Sequence, residues 1–297
     1  MSLIIAKIIS GKIYIESDTK ITDKDAVRTD PLCGLLKTII IHPCISISFA
    51  GVIYFAEKAL KNIFEINEFD LNSLTELLYN SHIKSGNKTD FIIASLINNE
   101  PKLIKISNNK IEHDVNSAWI GEYDGFKYFQ SNYLPLLSEG VDEILSFKNS
   151  FKKVIDNSNI DTIGNFQISL HTDDKICLEH YVFLYTTEIG IYASEPQTID
   201  IETAGELKPI PLGTASCGSF GISYLATISP NFHGVAIHFT HGNFGTIFCP
   251  QLSFSGIIVS NVNGIEFAKH IKDKYGIPLS GFVKLDETKV QYINTAE

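Results

Sequence analysis

Residues 2–22 read SLIIAKIISGKIYIESDTKIT, and this stretch decides the fold. Two short runs rich in β-branched residues lie on either side of Gly11, and such runs favour β-strands. They cover residues 3–9 and 12–17. Because glycine readily adopts the positive φ of a tight turn, the pattern predicts an antiparallel hairpin. A hairpin returns the chain to its start, so we expect Asp18 to lie near Ser2.

A second hairpin is predicted over residues 37–50, where two strand-like runs flank His42 and Pro43. The runs are KTIII at 37–41 and CISISFA at 44–50. In the second run large apolar residues alternate with small ones from Ile45 to Ala50. This period of two is typical of a half-buried strand.

Helical and strand patterns then alternate in blocks up to residue 185. Helices are predicted at 53–65, 71–83, 124–135 and 140–156, and strands at 90–96, 102–107, 117–121, 166–171 and 177–185. Asp70 directly precedes the second helix and is a suitable N-cap. The four opening strands have hairpin-length links, which argues against a parallel arrangement. The order therefore predicts an α+β fold in which two packed sheets carry helices on the outside.

The composition changes over residues 188–215, which are rich in Pro, Gly and Thr and show little periodicity. We interpret this stretch as a linker or an irregular excursion. Residues 216–297 then show strand patterns within 218–249 and a helical pattern at 263–275. They either complete the sheets of a domain formed by residues 1–187 or form a small α+β extension, and we favour the extension.

The overall composition argues against two classes of partner and favours one cellular compartment. The 297 residues carry a formal charge of −10 without a Lys/Arg run, so nucleic acid and an anionic membrane are poor partners. The apolar runs are only strand-length and the start lacks the pattern of a signal peptide, so we expect no membrane span. Five scattered cysteines without a CxxC pair favour free thiols in the cytoplasm.

Metal chemistry is not favoured by the histidines. His233, His238 and His241 lie close in sequence, but 238 and 241 point to opposite faces of a strand and no Cys or carboxylate lies between them. We interpret them as strand and turn residues, with a metal site as the less favoured alternative. Residues 242–245, GNFG, are typical of a hairpin turn, because the lysine and helix of a phosphate loop do not follow.

The N-terminal residues carry the strongest chemical signal. Removal of Met1, which is usual before a small residue, leaves Ser2 with a hydroxyl and a free α-amine. An α-amine has a pKa near ~8, so it can accept the hydroxyl proton. Lys37 can stabilise developing negative charge, and Asp18 can keep that lysine charged. The N–H of Gly51, at the end of the second hairpin, can serve as an oxyanion donor.

Two segments resemble the proteasome-type N-terminal nucleophile (Ntn) hydrolases. Residues 18–22, DTKIT, are similar to the D-T-[KR]-x-T pattern that follows the first two strands of that family, at the family's distance from the nucleophile. Residues 37–51, KTIIIHPCISISFAG, are similar without a gap to its catalytic-lysine strand, the turn and the next strand. The resemblance covers roughly residues 2–185 and implies a four-layer αββα sandwich.

For catalysis, the resemblance implies roles for four residues. Ser2 would be the nucleophile and the base, with Asp18 and Lys37 as its electrostatic partners. Gly51 would donate to the oxyanion. A peptide or protein substrate would be cleaved through an ester on Ser2, with no cofactor and no metal.

For substrate binding, the resemblance implies two further residues. Thr22 would hold an extended substrate by backbone pairing, and Phe49 would form the floor of the pocket for the residue before the scissile bond. The supporting shell differs from the family. Glu122 stands where a turn serine supports the amine, and Asp161 begins a D-x-x-S-G-like motif with Gly164 in place of the serine.

The sequence therefore favours a cytoplasmic Ntn amide hydrolase, which we expect to be a peptidase. Members of the family assemble into rings, so the resemblance also implies a ring or another homo-oligomer. The alternative is an inactive scaffold or binding subunit with the same fold, in which the end of the chain is the partner surface. The state of the N-terminus separates the two, since a retained Met1 or a blocked Ser2 amine excludes the mechanism.

Overall fold

The structure of the chain is a computed structural model with two compact units. It describes residues 2–21, 34–42, 44–66, 70–97, 100–157, 159–164, 166–173, 182–188, 197–203, 206–213, 222–229, 232–285 and 289–296. The first unit is formed by Met1–Ala26 and Lys37–Gly190, and the second by Val27–Leu36 and Ile191–Glu297.

The first unit contains ten strands and four helices in the described residues. The strands are β1 Leu3–Ile9, β2 Lys12–Asp18, β3 Thr38–His42, β4 Ile45–Gly51, β5 Thr89–Ile97, β6 Glu100–Ser107, β7 Lys110–Glu112, β8 Ser117–Gly121, β9 Gln167–Asp173 and β10 Val182–Glu188. The helices are α1 Ile53–Phe64, α2 Leu71–Lys84, α3 Tyr123–Ser138 and α4 Glu143–Ile155. The ten strands form two five-stranded sheets with antiparallel pairing. Their orders are β10-β9-β2-β1-β8 and β3-β4-β5-β6-β7.

The two opening strands form the predicted hairpin. Ile4 pairs with Ser17, and Ser10 and Gly11 both have positive φ at the turn (50° and 78°). Positive φ at both central residues matches the right-handed twist of the strands that such a turn joins. Local turn chemistry therefore sets the register that brings Asp18 back to the start of the chain.

Strand β1 is buried on both faces, which explains why its sequence is largely apolar. Ile4 and Ala6 lie in the core between the two sheets, together with Ile92 of β5 and Leu103 of β6. The alternate residues of β1 face a second core shared with α3 and α4. That core contains Leu3, Ile5, Ile9, Phe129, Tyr133, Phe147 and Phe151. The packing follows from the two-residue period of a strand.

The remaining helix pair packs on the second sheet, where α2 contacts β5 and β6 and α1 contacts β5. Its buried side chains include Leu60 and Leu74, and Asp70 caps α2 by accepting a hydrogen bond from the Ser73 N–H at 2.9 Å. The unit is thus layered as helices, sheet, sheet and helices. This confirms the α+β class, with mixed helices and antiparallel sheets.

Several boundaries differ from the sequence prediction. Helix α4 begins at Glu143 because Asp142 caps it, accepting from the Leu145 N–H at 2.9 Å. The short strand β7 was not predicted, since three residues are too few to show a period. Of the last predicted strand, 177–185, residues 177–181 lie outside the described residues, and β10 covers Val182–Glu188.

The second unit contains strands β11 to β18 and helix α5. Their bounds are β11 Gln197–Thr203, β12 Glu206–Gly213, β13 Ile222–Thr227, β14 Val235–Phe239, β15 Phe244–Cys249, β16 Ser253–Ser260, α5 Gly264–Tyr275, β17 Leu279–Lys284 and β18 Val290–Asn294. Strands β13 to β18 form a six-stranded sheet, ordered β16-β15-β14-β13-β17-β18. Gly242 and Asn243 of the GNFG segment end the connection from β14, with Asn243 in the left-handed conformation, and Phe244 and Gly245 begin β15.

The stretch interpreted as a linker, residues 188–215, contains the antiparallel pair β11 and β12. Pro209 and Pro211 lie in β12 at alternate positions, so both ring nitrogens point to the same edge. Proline is tolerated on the open edge of a ribbon, where its missing N–H costs no ladder hydrogen bond. The prolines therefore weaken the sequence pattern that would predict a strand, but they do not prevent the strand from forming.

Helix α5 packs on the six-stranded sheet and completes a separate apolar core. Phe267 and Ile271 of the helix lie with Ile247 and Leu279 of the sheet, all four buried. The helix begins at a capping box formed by Asn263 and ends at Gly276, which has a φ of 70°. Within the residues that the structure describes, no helix has both the length and the apolar character needed to cross a membrane.

The raised pKa of Asp156 predicts that the free energy of unfolding depends on pH. It closes α4, and burial raises its pKa from an ordinary 3.8 to about 7, although the charge of Lys152 opposes the shift. Its Oδ1 atom is buried without a hydrogen-bond partner among the described residues. A carboxyl whose folded pKa is raised stabilises the fold below pH 3.8 and loses that contribution as the pH rises through about 7.

We therefore expect Asp156→Asn to flatten the loss of stability between pH 4 and pH 7. At pH 8 the variant should be more stable by about 1 kcal/mol, allowing for solvent screening of a half-exposed group. Urea unfolding at several pH values measures this, with Asp273→Asn, an exposed residue on α5, as the control. Equal pH slopes in Asp156→Asn and the wild type would contradict the assignment.

Candidate functional site

Ser2 lies just before β1, an inner strand of the first sheet, and only 7% of it is exposed. Its carbonyl oxygen accepts a hydrogen bond from the Glu122 N–H at 2.7 Å. The next residue, Leu3, pairs with Gly121 at the end of β8. The backbone of Ser2 is therefore held by a residue 120 positions away, and not only by its own hairpin.

Gly121 makes this position of Ser2 possible. Its φ is 103°, and a Cβ atom there would lie 1.8 Å from the Ser2 carbonyl oxygen and 3.3 Å from the Ala50 Cβ. Only glycine has room for that approach and for that φ. The same Cβ atom would thus lie near both the Ser2 carbonyl and Ala50, the residue before Gly51. No pattern in the sequence signals this steric role.

Asp18 is fully buried and connects three parts of the site. Its Oδ1 accepts from the Leu3 N–H at 3.0 Å. Its Oδ2 accepts from the Lys20 N–H at 3.1 Å and from the Lys37 Nζ at 2.8 Å. The structure thus joins the peptide that follows Ser2 to the ammonium group of Lys37 through one carboxylate.

Lys37 is buried, and its ammonium group is held by two oxygens. Besides Asp18 Oδ2, the Lys20 carbonyl accepts from Nζ at 2.6 Å. Two of the three ammonium N–H groups are used in this way among the described residues, which leaves one for a further acceptor. Burial lowers the pKa of Lys37, Asp18 opposes that change, and the charge of Lys20 adds to it. The site holds a desolvated cation in a fixed position, where its field acts strongly.

The second hairpin places Lys37 opposite Phe49. The Phe49 N–H donates to the Lys37 carbonyl at 3.0 Å, immediately before the pairing of Thr38 with Ser48. Residues paired in this way lie on the same face of the sheet. Phe49 is 1% exposed, so its ring is buried. Its role as a pocket floor stays a prediction.

Gly51 ends β4 with a φ of 110°, and it is exposed. A Cβ atom there would lie 1.9 Å from the Lys88 carbonyl oxygen, which also accepts from the Val52 N–H. The close approach of the chain at Lys88 therefore requires glycine whether or not the residue acts in catalysis. Its role as an oxyanion donor stays a prediction.

Glu122 and Asp161 were predicted for the supporting shell of Ser2, and this role stays a prediction. The Glu122 carboxylate accepts from the Thr162 hydroxyl at 3.4 Å, so the turn that contains Asp161 does reach Glu122. Asp161 itself is exposed on that turn. Thr22 and Met1 lie outside the described residues, and their predicted roles are therefore not placed in the structure.

Two contributors to the site were missed by sequence reasoning. The Lys20 carbonyl is the second acceptor for the Lys37 ammonium group. Thr19, the residue after β2, is hydrogen-bonded to Phe166, the residue before β9. Thr19 N–H donates to the Phe166 carbonyl and Thr19 Oγ1 accepts from the Phe166 N–H, both at 3.1 Å. A threonine directly after a buried aspartate was the available signal, but backbone acceptors have no sequence signature.

The sequence left a metal site at His233, His238 and His241 as the less favoured alternative. Among the described residues, no three His, Cys, Asp or Glu side chains are grouped to hold a metal. His238 is buried in β14, where its Nε2 lies 2.9 Å from the Val262 carbonyl, and burial lowers its pKa.

The sequence matches no protein-family model, and a search of curated proteins gives no matching relative.

Proposed function

We propose that this chain is a proteasome-like Ntn amide hydrolase, and specifically a peptidase, that uses Ser2 as its N-terminal nucleophile. The observation that carries the proposal is the buried ammonium of Lys37, fixed by Asp18 Oδ2 and the Lys20 carbonyl. Burying a lysine costs free energy even when the charge is paired, and the same Asp18 that pairs with Lys37 also binds the amide next to Ser2. Such clusters occur preferentially where a reaction develops charge.

The proposed reaction is acyl transfer followed by hydrolysis. The Ser2 hydroxyl attacks the substrate carbonyl while the α-amine takes its proton, and the Lys37 charge stabilises the serine oxygen as it loses that proton. Collapse of the tetrahedral intermediate breaks the C–N bond and leaves the acyl group as an ester on the Ser2 oxygen, while the leaving amine takes the proton from the α-ammonium. Water then attacks this ester as the same α-amine takes its proton. Collapse of the second intermediate breaks the ester C–O bond, the serine oxygen takes the proton back from the α-ammonium, and the acid is released.

The layered first unit supports the same proposal. We propose that its two antiparallel sheets and two helix pairs form the αββα sandwich of the family, and the early position of the hairpins that carry Ser2 and Lys37 supports this proposal. By the same resemblance we propose a peptide or protein substrate, a cytoplasmic location and assembly into a ring or another homo-oligomer. Fold similarity alone does not decide activity, so the reaction needs its own test.

One observation favours the alternative of an inactive scaffold or binding subunit. The Glu122 N–H donates to the Ser2 carbonyl, so a residue with a carboxylate is in backbone contact with the residue that carries the amine. A nearby negative charge stabilises an ammonium and weakens the amine as a base. Gly164 also offers no hydroxyl where the family has one. In this alternative Ser2 is structural.

The test is the state and reactivity of the N-terminus. Intact mass measures whether Met1 is removed, and a bifunctional electrophile that closes a ring through both Oγ and the α-amine measures reactivity. We expect Met1 to be absent, one adduct on the wild type, none on Ser2→Ala and a retained adduct on Ser2→Thr. A retained Met1, a blocked amine or unchanged labelling of Ser2→Ala excludes the mechanism. A free but unreactive Ser2 supports the scaffold.

A further inference from the structure

Gly51 is the proposed oxyanion donor, and the backbone on both sides of it is fixed within the first unit. On one side, Ala50 is paired with β5. On the other side, the Val52 N–H donates to the Lys88 carbonyl, and the Val52 carbonyl accepts from the Thr89 hydroxyl, both at 3.0 Å. Glycine has the freest backbone of any residue, so the direction of its N–H depends on such neighbours.

The direction of the Gly51 N–H follows from the alternation along β4. In an antiparallel sheet, successive residues of a strand direct their N–H groups to opposite neighbouring strands. The Phe49 N–H reaches the Lys37 carbonyl on the β3 side. The Val52 N–H reaches the Lys88 carbonyl on the β5 side. Gly51 comes two residues after Phe49, so its N–H is directed to the side of Lys37.

His82, in the last turn of α2, holds the backbone of Thr89. Its ring is fully buried, and the Asn109 N–H donates to Nε2 at 3.1 Å. Because Nε2 is an acceptor, the ring proton is on Nδ1, which lies 2.8 Å from the Thr89 carbonyl. The Asp90 Oδ1 lies farther from the same nitrogen, at 3.3 Å. The Thr89 carbonyl is therefore the nearer acceptor for this donor.

Ser85, the residue after α2, holds the same segment from its N–H side. Its hydroxyl accepts from the Lys88 N–H and from the Thr89 N–H, both at 3.0 Å. The same hydroxyl donates to the His82 carbonyl at 2.6 Å. One donor and two acceptor positions are the full capacity of a serine hydroxyl, so the group is completely used.

We propose that Thr89 is a positioning residue for the Gly51 amide, and that His82 and Ser85 hold Thr89 in this role. An oxyanion donor is effective because it is aimed before the reaction and needs no reorganisation during it. Thr89 acts through the Val52 backbone and touches none of the reacting atoms. The catalytic part of this inference rests on the proposed function.

The experiment compares Thr89→Val with Thr89→Ser in the full chain. Valine suits the start of a strand but lacks the hydroxyl that reaches Val52, whereas serine keeps it. The first readout is amide hydrogen exchange, which does not depend on activity. In Thr89→Val we expect the Val52 amide to exchange about tenfold faster, and in Thr89→Ser within about twofold of the wild type. The Ile93 amide in β5 is the internal reference and should not change.

The second readout is labelling of Ser2. In Thr89→Val the maximal rate should fall about tenfold with unchanged half-saturation by the electrophile, because the donor is misplaced and the binding surface is not. Thr89→Ser should restore the wild-type rate. Thr75→Val is the matched control, since Thr75 is a buried threonine of α2 whose hydroxyl donates to the Leu71 carbonyl at 2.7 Å. It should leave both readouts unchanged.

The positioning role is overturned if the Val52 amide keeps its protection in Thr89→Val, or if Thr89→Ser behaves as Thr89→Val does. Faster exchange of Val52 with unchanged labelling overturns the catalytic part. Equal slowing of labelling in Thr75→Val overturns it too, since lost stability would then be the cause. An unlabelled wild type contradicts the proposed function, and the exchange result still tests the positioning.

Ser85→Ala tests the proposal by a second route, including the case in which Thr89→Val does not fold. It removes the acceptor of the Lys88 and Thr89 N–H groups, and Ser85→Thr keeps that acceptor. We expect Ser85→Ala to speed exchange of the Val52 amide and to slow labelling, and Ser85→Thr to do neither. An unchanged Val52 amide in Ser85→Ala would overturn the role given to Ser85.

Discussion

Lys37→Met lowers the free energy of unfolding by about 3–5 kcal/mol, which is the expected cost of breaking a buried ion pair by removing one partner. Asp18 is fully buried, and the substitution leaves its carboxylate with only the N–H groups of Leu3 and Lys20 among the described residues. Urea unfolding followed by circular dichroism measures the change. Lys110→Met is the matched control, because Lys110 is an exposed strand lysine in the same unit. We expect it to stay within about 0.5 kcal/mol of the wild type.

The double variant Asp18→Asn with Lys37→Met measures the coupling free energy between the two residues, apart from the cost of each single substitution. The cost of Lys37→Met comes from the unpaired carboxylate, so neutralising Asp18 should recover part of it. We expect the double variant to be more stable than the sum of the single losses by about 1–3 kcal/mol. Additive losses, or a loss below about 1 kcal/mol for Lys37→Met, would show that the pair is not the buried unit described above.

The same substitution tests the chemistry. Lys37→Met should slow labelling of Ser2 about 100-fold to 1,000-fold, as loss of a preorganised charge does elsewhere. Lys37→Arg keeps the charge but not the compact ammonium held between Asp18 and the Lys20 carbonyl, so we expect little recovery. Labelling at the wild-type rate in a folded Lys37→Met protein would remove the lysine from the mechanism.

Gly121→Ala carries the second large effect. The new Cβ would lie 1.8 Å from the Ser2 carbonyl oxygen, closer than any non-bonded contact allows, so Ser2 or β8 must move. We expect a loss of about 3 kcal/mol or more, from strain at positive φ together with overpacking. Displacing Ser2 should also slow its labelling about 100-fold.

Gly140→Ala is the control for the conformational part of this loss. Gly140 also has a positive φ, 78°, but a Cβ there would meet nothing within 4 Å. Its substitution should therefore cost only about 1 kcal/mol and leave labelling unchanged. Equal losses at the two glycines would mean that φ alone, and not the approach to Ser2, requires glycine at position 121.

The sequence predicts the elements of the first unit well, because its signals there are local. The apolar runs around Gly11 and the alternation from Ile45 to Phe49 mark strands that the structure contains. Asp70 is the N-cap that it was expected to be. The stretch 188–215 shows the limit of local patterns, because prolines on an open edge hide the strands β11 and β12.

In the candidate site, the sequence indicated which charged residues to examine, and the structure showed how they are held. Asp18 and Lys37 were expected to be partners, and they share a hydrogen bond of 2.8 Å. The Lys20 carbonyl could not be predicted as an acceptor, since every residue has a carbonyl and only the path of the chain aims it.

The amino-acid sequence by itself determined the two opening hairpins, since turn residues and a two-residue period act over a few neighbouring positions. Only the tertiary structure decided the contact of Ser2 with Glu122, the steric need for Gly121 and the pairing of Leu35 with Ser255. These contacts join residues more than one hundred positions apart. Their register depends on how whole sheets pack and loops close, which a local pattern does not encode.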